Sequence, residues 1–288
     1  YRKYINQKII KINEIMEREG SVLRNNNLIA EQCERIILEK DSELWSRKID
    51  DEDFLNINLG SGDKTIDIGI TKEDPPFQME QDNLSDIYYD VVNESRTIQN
   101  VPISISLVEE KIASVIGKNM KSLLEYMKSI VLQIIALQNY RNLKLVFFVR
   151  NQDEWDYVRL LPHIWDDSNT VRFFASRSDV NEISQFLEEE IAERIQNDEN
   201  NSGEKEFDYK KTGTYYLIIT DNYRELQDTR IFNTILEHDE NLGFSLLCVS
   251  TNIAQLPNKC KTFIEINNEN SRVFENEGLT TITQDFKV

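Results

Sequence analysis

The chain has 288 residues, and 33 Lys+Arg against 51 Asp+Glu leave a formal net charge of −18. With 40% hydrophobic and 29% charged residues, and only 9 Gly and 5 Pro, it has the composition of a globular chain that can bury a core as one large domain or two modest ones, not that of a collagen-like or low-complexity one. Taken as a whole, the acidic balance argues against a nucleic-acid backbone or an acidic membrane surface as a direct partner, because either would bring like charges together.

Three widely spaced cysteines, Cys33, Cys248 and Cys260, form neither a disulfide framework nor a zinc pattern, which points to a reducing compartment. The two histidines, His163 and His238, exclude a His-rich metal site. The longest apolar runs, at 131–137 and 145–149, fall short of the ~18 residues a membrane span needs. The sequence opens on Tyr1 and not Met, which suggests a segment of something longer.

Residues 1–48 read as a helical lead-in. Tyr1, Tyr4, Ile5, Ile9, Ile12 and Met16 step by three and four along one narrow stripe, and Gly20 to Asn27 is expected to interrupt it before a second helix bearing Leu28, Ile29, Cys33, Ile36 and Ile37. So narrow a stripe gives little stability alone, so the segment is expected to pack on the following domain or on a neighbouring chain. Residues 49–100 form the next unit. Leu55, Ile57 and Leu59 alternate with polar residues, Gly60-Ser61-Gly62-Asp63 offers turn chemistry, and Ile66, Ile68 and Ile70 alternate again. That pattern predicts a β-hairpin over 54–70. A linker with Pro75-Pro76 and a helix carrying Leu84, Ile87, Tyr88, Val91 and Val92 follow.

From Val101 to the end, strands and helices alternate. Apolar runs at 103–107, 112–116, 143–149, 171–175, 215–220, 244–250 and 262–266 read as strands covered on both faces. Between them, Met120 to Ile135 and Val180 to Ile195 show broad apolar helical faces. The alternation predicts an α/β domain with a mostly parallel sheet over 101–288. The polar stretch 197–213 reads as a surface loop.

In such sheets ligands sit at the carboxyl ends of strands, against a helix N-terminus. The strand at 112–116 runs into Gly117-Lys118-Asn119-Met120-Lys121-Ser122 and a long helix, which is the position of a phosphate-binding loop. A working loop has the form G-x-x-x-x-G-K-[ST]. Here the stretch from Gly117 to Lys121 is two residues shorter, and Met120 stands where the second glycine belongs. The apolar strand 215–220 ends in Asp221, placed to accept a metal-bound water, but Asn222 and Tyr223 follow where a water-activating Glu would stand. Gly117, Lys118, Lys121, Ser122 and Asp221 are therefore the candidate nucleotide-binding residues. An ordinary strand-to-helix turn and a turn-capping Asp account for the same residues. No catalytic residue and no metal ligand is assigned.

Several segments resemble one family. Leu44-Trp45-Ser46-Arg47 with Asp53-Phe54-Leu55 and Leu59-Gly60, the strand Val101-Pro102-Ile103-Ser104-Ile105-Ser106-Leu107, Val115-Ile116-Gly117, and Trp155 through Leu161-Pro162-His163-Ile164-Trp165-Asp166 are similar to stretches of the EssC/EccC proteins. These are the membrane-anchored FtsK/SpoIIIE-type ATPases of type VII secretion. The likeness runs from about Leu44 to the C-terminus, thinly after Ala175, and is to the degenerate ATPase-like domain between the membrane spans and the first catalytic module.

The resemblance implies a P-loop-NTPase-like, RecA-type α/β domain, preceded by a helical stalk and a β-hairpin, on the cytoplasmic side of the cell membrane. It implies a non-catalytic or weakly catalytic module, coupling the membrane part of a protein secretion motor to the downstream ATPase modules. The partners it implies are other type VII membrane subunits, the adjacent ATPase modules, copies of itself in a ring and, indirectly, WXG-type substrates. No cofactor is expected in this domain. The alternative is an active Mg-dependent NTPase with an atypical loop, using ATP and Mg. FtsK relatives translocate DNA, but the charge of −18 argues against a nucleic-acid partner.

His163, with no nameable carboxylate or Cys partner, reads as structural. Trp155 and Trp165 read as packing anchors, since a base-stacking platform needs a basic groove beside it. Glu188, Glu189 and Glu190 read as a solvated helix face. Ser250-Thr251-Asn252 reads as a strand-end turn or as the place of a sensor residue.

Overall fold

A strand with helices on both faces favours apolar side chains, and the apolar runs form the middle of the molecule for that reason. The computed structural model describes residues 2–66, 96–176, 180–200, 207–277 and 280–288. In chain order the elements are α1 (Arg2–Asn26), α2 (Ala30–Glu39), β1 (Asn56–Ile66), β2 (Arg96–Ser106), β3 (Ile112–Gly117), α3 (Met120–Leu137), β4 (Leu143–Phe148), β5 (Phe174–Ala175), α4 (Val180–Asn200), β6 (Tyr215–Thr220), α5 (Tyr223–Leu226), α6 (Arg230–Glu237), β7 (Phe244–Ser250), β8 (Thr262–Ile266), β9 (Ser271–Glu277) and β10 (Thr280–Phe286).

One sheet has the order β10-β9-β8-β3-β7-β6-β4-β5. Its strands from β8 to β5 are parallel, and β9 and β10 add antiparallel at one edge. Every residue of β4, β6 and β7 is buried. Each face carries its own core. On one, Leu123, Met127, Ile130 and Ile134 of α3 meet Val115, Leu145, Phe147 and Leu217. On the other, Ile183, Leu187 and Ile191 of α4 and Ile231, Phe232 and Ile235 of α6 meet Val146, Phe148, Ile218 and Leu246. The α/β, mostly parallel architecture read from the sequence is the one observed.

Several local expectations are corrected. Gly60-Ser61-Gly62-Asp63 makes no turn. These residues lie inside the 11-residue strand β1, which pairs antiparallel with β2 through two irregularities in register. The glycines serve close approach: a Cβ on Gly60, whose φ is +151°, would lie 2.2 Å from the Lys287 carbonyl oxygen. There the chain's end is stitched on, with Ser61 N–H donating to Lys287 O at 2.8 Å and Lys287 N–H to Ser61 O at 2.7 Å. The run 103–107 belongs to β2 of this two-stranded sheet and not to the central one. Gly20 does not interrupt the first helix, because α1 continues to Asn26. A mid-helix glycine costs only ~1 kcal/mol relative to Ala, and here its missing Cβ lets the helix approach Ile98 of β2, 3.2 Å from where that atom would sit. In the polar stretch 197–213, α4 runs on to Asn200 and a 3-10 turn spans Tyr209–Thr212. Ile68, Ile70 and the helix expected over 84–92 lie outside the described residues.

The most connected feature is the far end of α3. The last carbonyls of a helix have no partner within it. Trp45 N–H donates to Ala136 O at 2.8 Å, its indole Nε1 to Ile135 O at 2.9 Å, and Arg47 N–H to Leu137 O at 2.9 Å. The Arg47 side chain, 9% exposed, pairs with Asp53 Oδ2 at 2.8 Å. It also donates to Asn26 O at the end of α1 (2.7 Å), Asn56 O (3.1 Å) and Asp53 O (3.3 Å). Trp45 is held at φ 58°, a conformation bulky residues avoid, and the two bonds it makes to α3 hold it there.

Replacing Arg47 by Met should lower the unfolding free energy by roughly 2–4 kcal/mol, because three backbone carbonyls lose a charged donor. Arg159→Met, which breaks only an exposed pair, should change it by less than ~0.5 kcal/mol. Urea denaturation of the two variants checks the difference.

Candidate functional site

β3 ends at Gly117 and α3 begins at Met120, so only Lys118 and Asn119 form the turn between them. Asn119 caps the helix: its side-chain oxygen accepts the Lys121 N–H at 2.9 Å. This is the local logic of any helix start, in which a short polar side chain satisfies an orphaned amide. Gly117 is not among the glycines at positive φ. Its value is spatial, since a Cβ there would lie 2.8 Å from Ile266 O of β8 and 2.9 Å from Leu123 Cδ2 of α3. Met120 is half-buried against the core. Lys118, Lys121 and Ser122 are exposed, and among the described residues their side chains make no hydrogen bond or ion pair.

Asp221 follows β6 and is 5% exposed. Its Oδ1 accepts the Arg150 N–H at 2.8 Å and its Oδ2 accepts Trp155 Nε1 at 3.1 Å. Burial pushes this carboxyl above its ordinary pKa, and the two donors, with the Arg150 charge, pull it partly back. Arg150 Nε also reaches Asn222 Oδ1 at 3.1 Å. Both donors to the carboxylate follow β4 in the chain, and β4 lies on the opposite side of β6 from β7 and β3. Of the sequence-derived candidates, Gly117, Lys118, Lys121 and Ser122 thus share one turn. Asp221 lies at the same carboxyl edge, with β7 between and its oxygens turned to the other side.

As placed, these residues do not fit a magnesium–triphosphate. The turn is two residues long, the Lys121 amide at the helix start is already capped, and the acid that would hold a metal-bound water already accepts an N–H on each oxygen. Among the described residues, no group of three His, Cys, Asp or Glu could hold a metal ion.

The sequence reading missed a convergence. The segments at 44–47 and 161–165 are far apart in the chain but meet at the end of α3. The Tyr140 ring stands edge-on to Trp45 at 4.9 Å and to His163 at 6.1 Å. His163 is 1% exposed. Its Nε2 lies 3.0 Å from Gln138 O, and its Nδ1 has no partner. Burial lowers its pKa to about 4, so the ring is neutral at physiological pH. His163 is structural, as read, and Trp155 and Trp165 pack into the core. Ser250 Oγ closes a turn by donating to Asn252 O at 3.0 Å. The signal that could have found the convergence is that both segments are rich in aromatic and hydrogen-bonding residues yet offer no chemistry.

Six parallel strands, with helices on both faces and a strand-to-helix turn at the carboxyl edge, are the scaffold of P-loop ATPase domains. Over most of its length the chain is similar to EccC-type secretion system proteins. It is 21% identical over 275 residues to the ESX secretion system protein EccC of Geobacillus thermodenitrificans, covering 93% of this chain and 18% of that protein. To the ESX secretion system protein YukB of Bacillus subtilis it is 19% identical over 278 residues, with the same 93% and 18% covered. The chain thus spans about a fifth of the length of these relatives. The solved cytoplasmic domain of the Thermomonospora curvata type VII secretion ATPase EccC shares the fold at a TM-score of 0.55 and 13% identity, over 84% of this chain and 29% of that one. No family model matches the chain. Among the described residues no helix is long and apolar enough to cross a membrane.

The buried His163 makes a pH prediction. Its folded pKa of about 4 lies below the ordinary 6.5, so the unfolded chain binds the extra proton first. The stability it contributes is present above pH 6.5 and is lost as the pH falls towards 4, by about 3 kcal/mol at most. Chemical denaturation at several pH values should show a shallower acid slope for His163→Gln than for the parent chain.

Proposed function

We propose that this chain is an ATPase-like module with little or no hydrolysis of its own, which couples the membrane part of a type VII secretion motor to the downstream ATPase modules. The observation that carries the reading is the two-residue β3–α3 turn, where an internal side chain, Asn119, takes one of the helix amides a phosphate would use. The relatives' names, ESX secretion system protein and type VII secretion ATPase, supply the setting. On this reading the module sits on the cytoplasmic side of the cell membrane. Residues 1–48 form the stalk, 49–100 the connecting unit and 101–288 the ATPase-like body. Its partners are membrane subunits of the system, the neighbouring ATPase modules and copies of itself in a ring; WXG-type substrates are met indirectly.

The coupling has a physical route. Trp45 and Arg47 hold the last turn of α3, while its first turn adjoins Lys118 and Asn119. Eighteen residues of helix span ~27 Å. A displacement of α1 and α2 therefore reaches the carboxyl edge of the sheet through one rod. A second reading, an active Mg-dependent NTPase, is favoured by the exposure of Lys118, Lys121 and Ser122 at that edge.

Calorimetric titration with ATP and Mg²⁺ separates the two. The coupling reading expects no saturable binding below ~1 mM, no phosphate release above the blank, and no change in Lys121→Ala, since a millimolar limit leaves only ~4 kcal/mol of binding. Micromolar binding with turnover lost in Lys121→Ala would overturn it.

A further inference from the structure

The charge of this molecule is segregated. Residues 1–13 contain Arg2, Lys3, Lys8 and Lys11 and no Asp or Glu, a formal +4, so the remaining residues sum to −18 − 4 = −22. Lys3, Lys8 and Lys11 are exposed on α1. Among them Ile10 is 57% exposed, and one turn further on Ile15 is 42% exposed. Gly20 is the first buried residue along α1 among those described. At ~1.5 Å per residue, Lys3 stands about 25 Å and Lys11 about 13 Å along the helix axis from it. The influence of exposed charges decays over ~8 Å at physiological ionic strength. A surface approaching this end therefore meets a basic helix and not the average of the chain. The net charge of −18, which as a whole argues against an acidic membrane surface, is not what this end presents.

We propose that the first three turns of α1, ahead of Glu14, dock on an anionic lipid surface, with the lysines at the headgroups and Ile10 in the interfacial zone. Charge complementarity selects the lipid sign, and an exposed isoleucine, Ile10, between Lys8 and Lys11 suits the headgroup–acyl boundary better than a purely polar polyanion. Each basic residue near an anionic leaflet strengthens binding about fivefold, so the cluster acts through its sum. This docking rests on the charge map and not on the nucleotide reading, so the ATP titration and the lipid experiment fail independently.

Co-sedimentation of the chain with vesicles tests the proposal. At about 0.1 M salt, binding to vesicles of one part phosphatidylglycerol to two parts phosphatidylcholine should exceed binding to pure phosphatidylcholine by at least tenfold, and should fall steeply as salt is raised. Lys3→Glu/Lys11→Glu, which brings residues 1–13 from +4 to zero, should remove that excess. Lys261→Glu/Lys287→Glu, an equal charge change at two exposed lysines elsewhere, should keep it. A Glu in the first turn favours the helix dipole, and circular dichroism of the variant should show unchanged helicity. Equal binding to both vesicle types, no binding to either, or full binding by Lys3→Glu/Lys11→Glu would overturn the proposal. So would concentration-dependent self-association that this variant abolishes without any lipid binding, which would give the face to a second copy of the chain.

Discussion

The carbonyls that end α3 face protein and not water, and the rest of the arrangement follows from how they are satisfied. A buried helix end with unpaired oxygens is unstable. Here the main chain and indole of Trp45 and the main chain of Arg47 supply the donors. The chain must therefore cross this spot after α2 and before β1. Once it does, the Arg47 guanidinium lies where it can bind the end of α1 and the start of β1 together. One segment thus joins the lead-in, the two-stranded sheet and the α/β body, which are otherwise separate in sequence.

α3 makes further polar contacts along its buried side, an unusual use of a helix that faces a sheet. Gln133 exchanges two hydrogen bonds of 2.9 Å with the main chain of Asn58, and Tyr126 OH donates to Leu59 O at 2.9 Å. These bonds fall where β1 is irregular in register, so the side chains serve main-chain groups that a regular ladder would have served. β1 is held to α3 by directional bonds as well as by Ile57 and Leu59 in the shared core. Register between the two-stranded sheet and the body is therefore set at several points, among them Arg47, Gln133, Tyr126 and the Ser61–Lys287 pair.

The central strands were legible because burial on both faces leaves mostly apolar residues, a signal local to each run. The turn after β3 was legible for the same local reason, as an apolar run, a glycine and then a helical period. The β1 glycines misled because a glycine that admits another backbone looks in sequence like a glycine that turns its own; the partner, Lys287, is over 200 residues away. β9 and β10 carry polar residues at most positions, as suits an antiparallel edge, and gave no apolar run to read. The meeting of Trp45, Tyr140 and His163 was hidden because no spacing rule connects segments brought together by a helix end. The commitment of Asp221 to Arg150 and Trp155 depends on strand order, which a run of residues does not encode.

The two ends of α3 invite one comparison. At its C-terminus the orphaned groups are met by residues from a distant segment, so the bonds can be broken only by moving that segment. At its N-terminus the cap is Asn119 itself, adjacent in the chain and always at hand. An anion arriving at Lys121 would compete with an acceptor that gives up almost no entropy to bind. The Asn119 carbonyl also takes the Leu123 amide, so of the first-turn amides only those of Met120 and Ser122 are left to such an anion. Asp221, on the other strand, already accepts one N–H on each oxygen, so a metal-bound water would have to share those oxygens with Arg150 and Trp155. At the carboxyl edge of this sheet, Asn119 and Asp221 are thus already serving the fold, while Lys118, Lys121 and Ser122 are exposed.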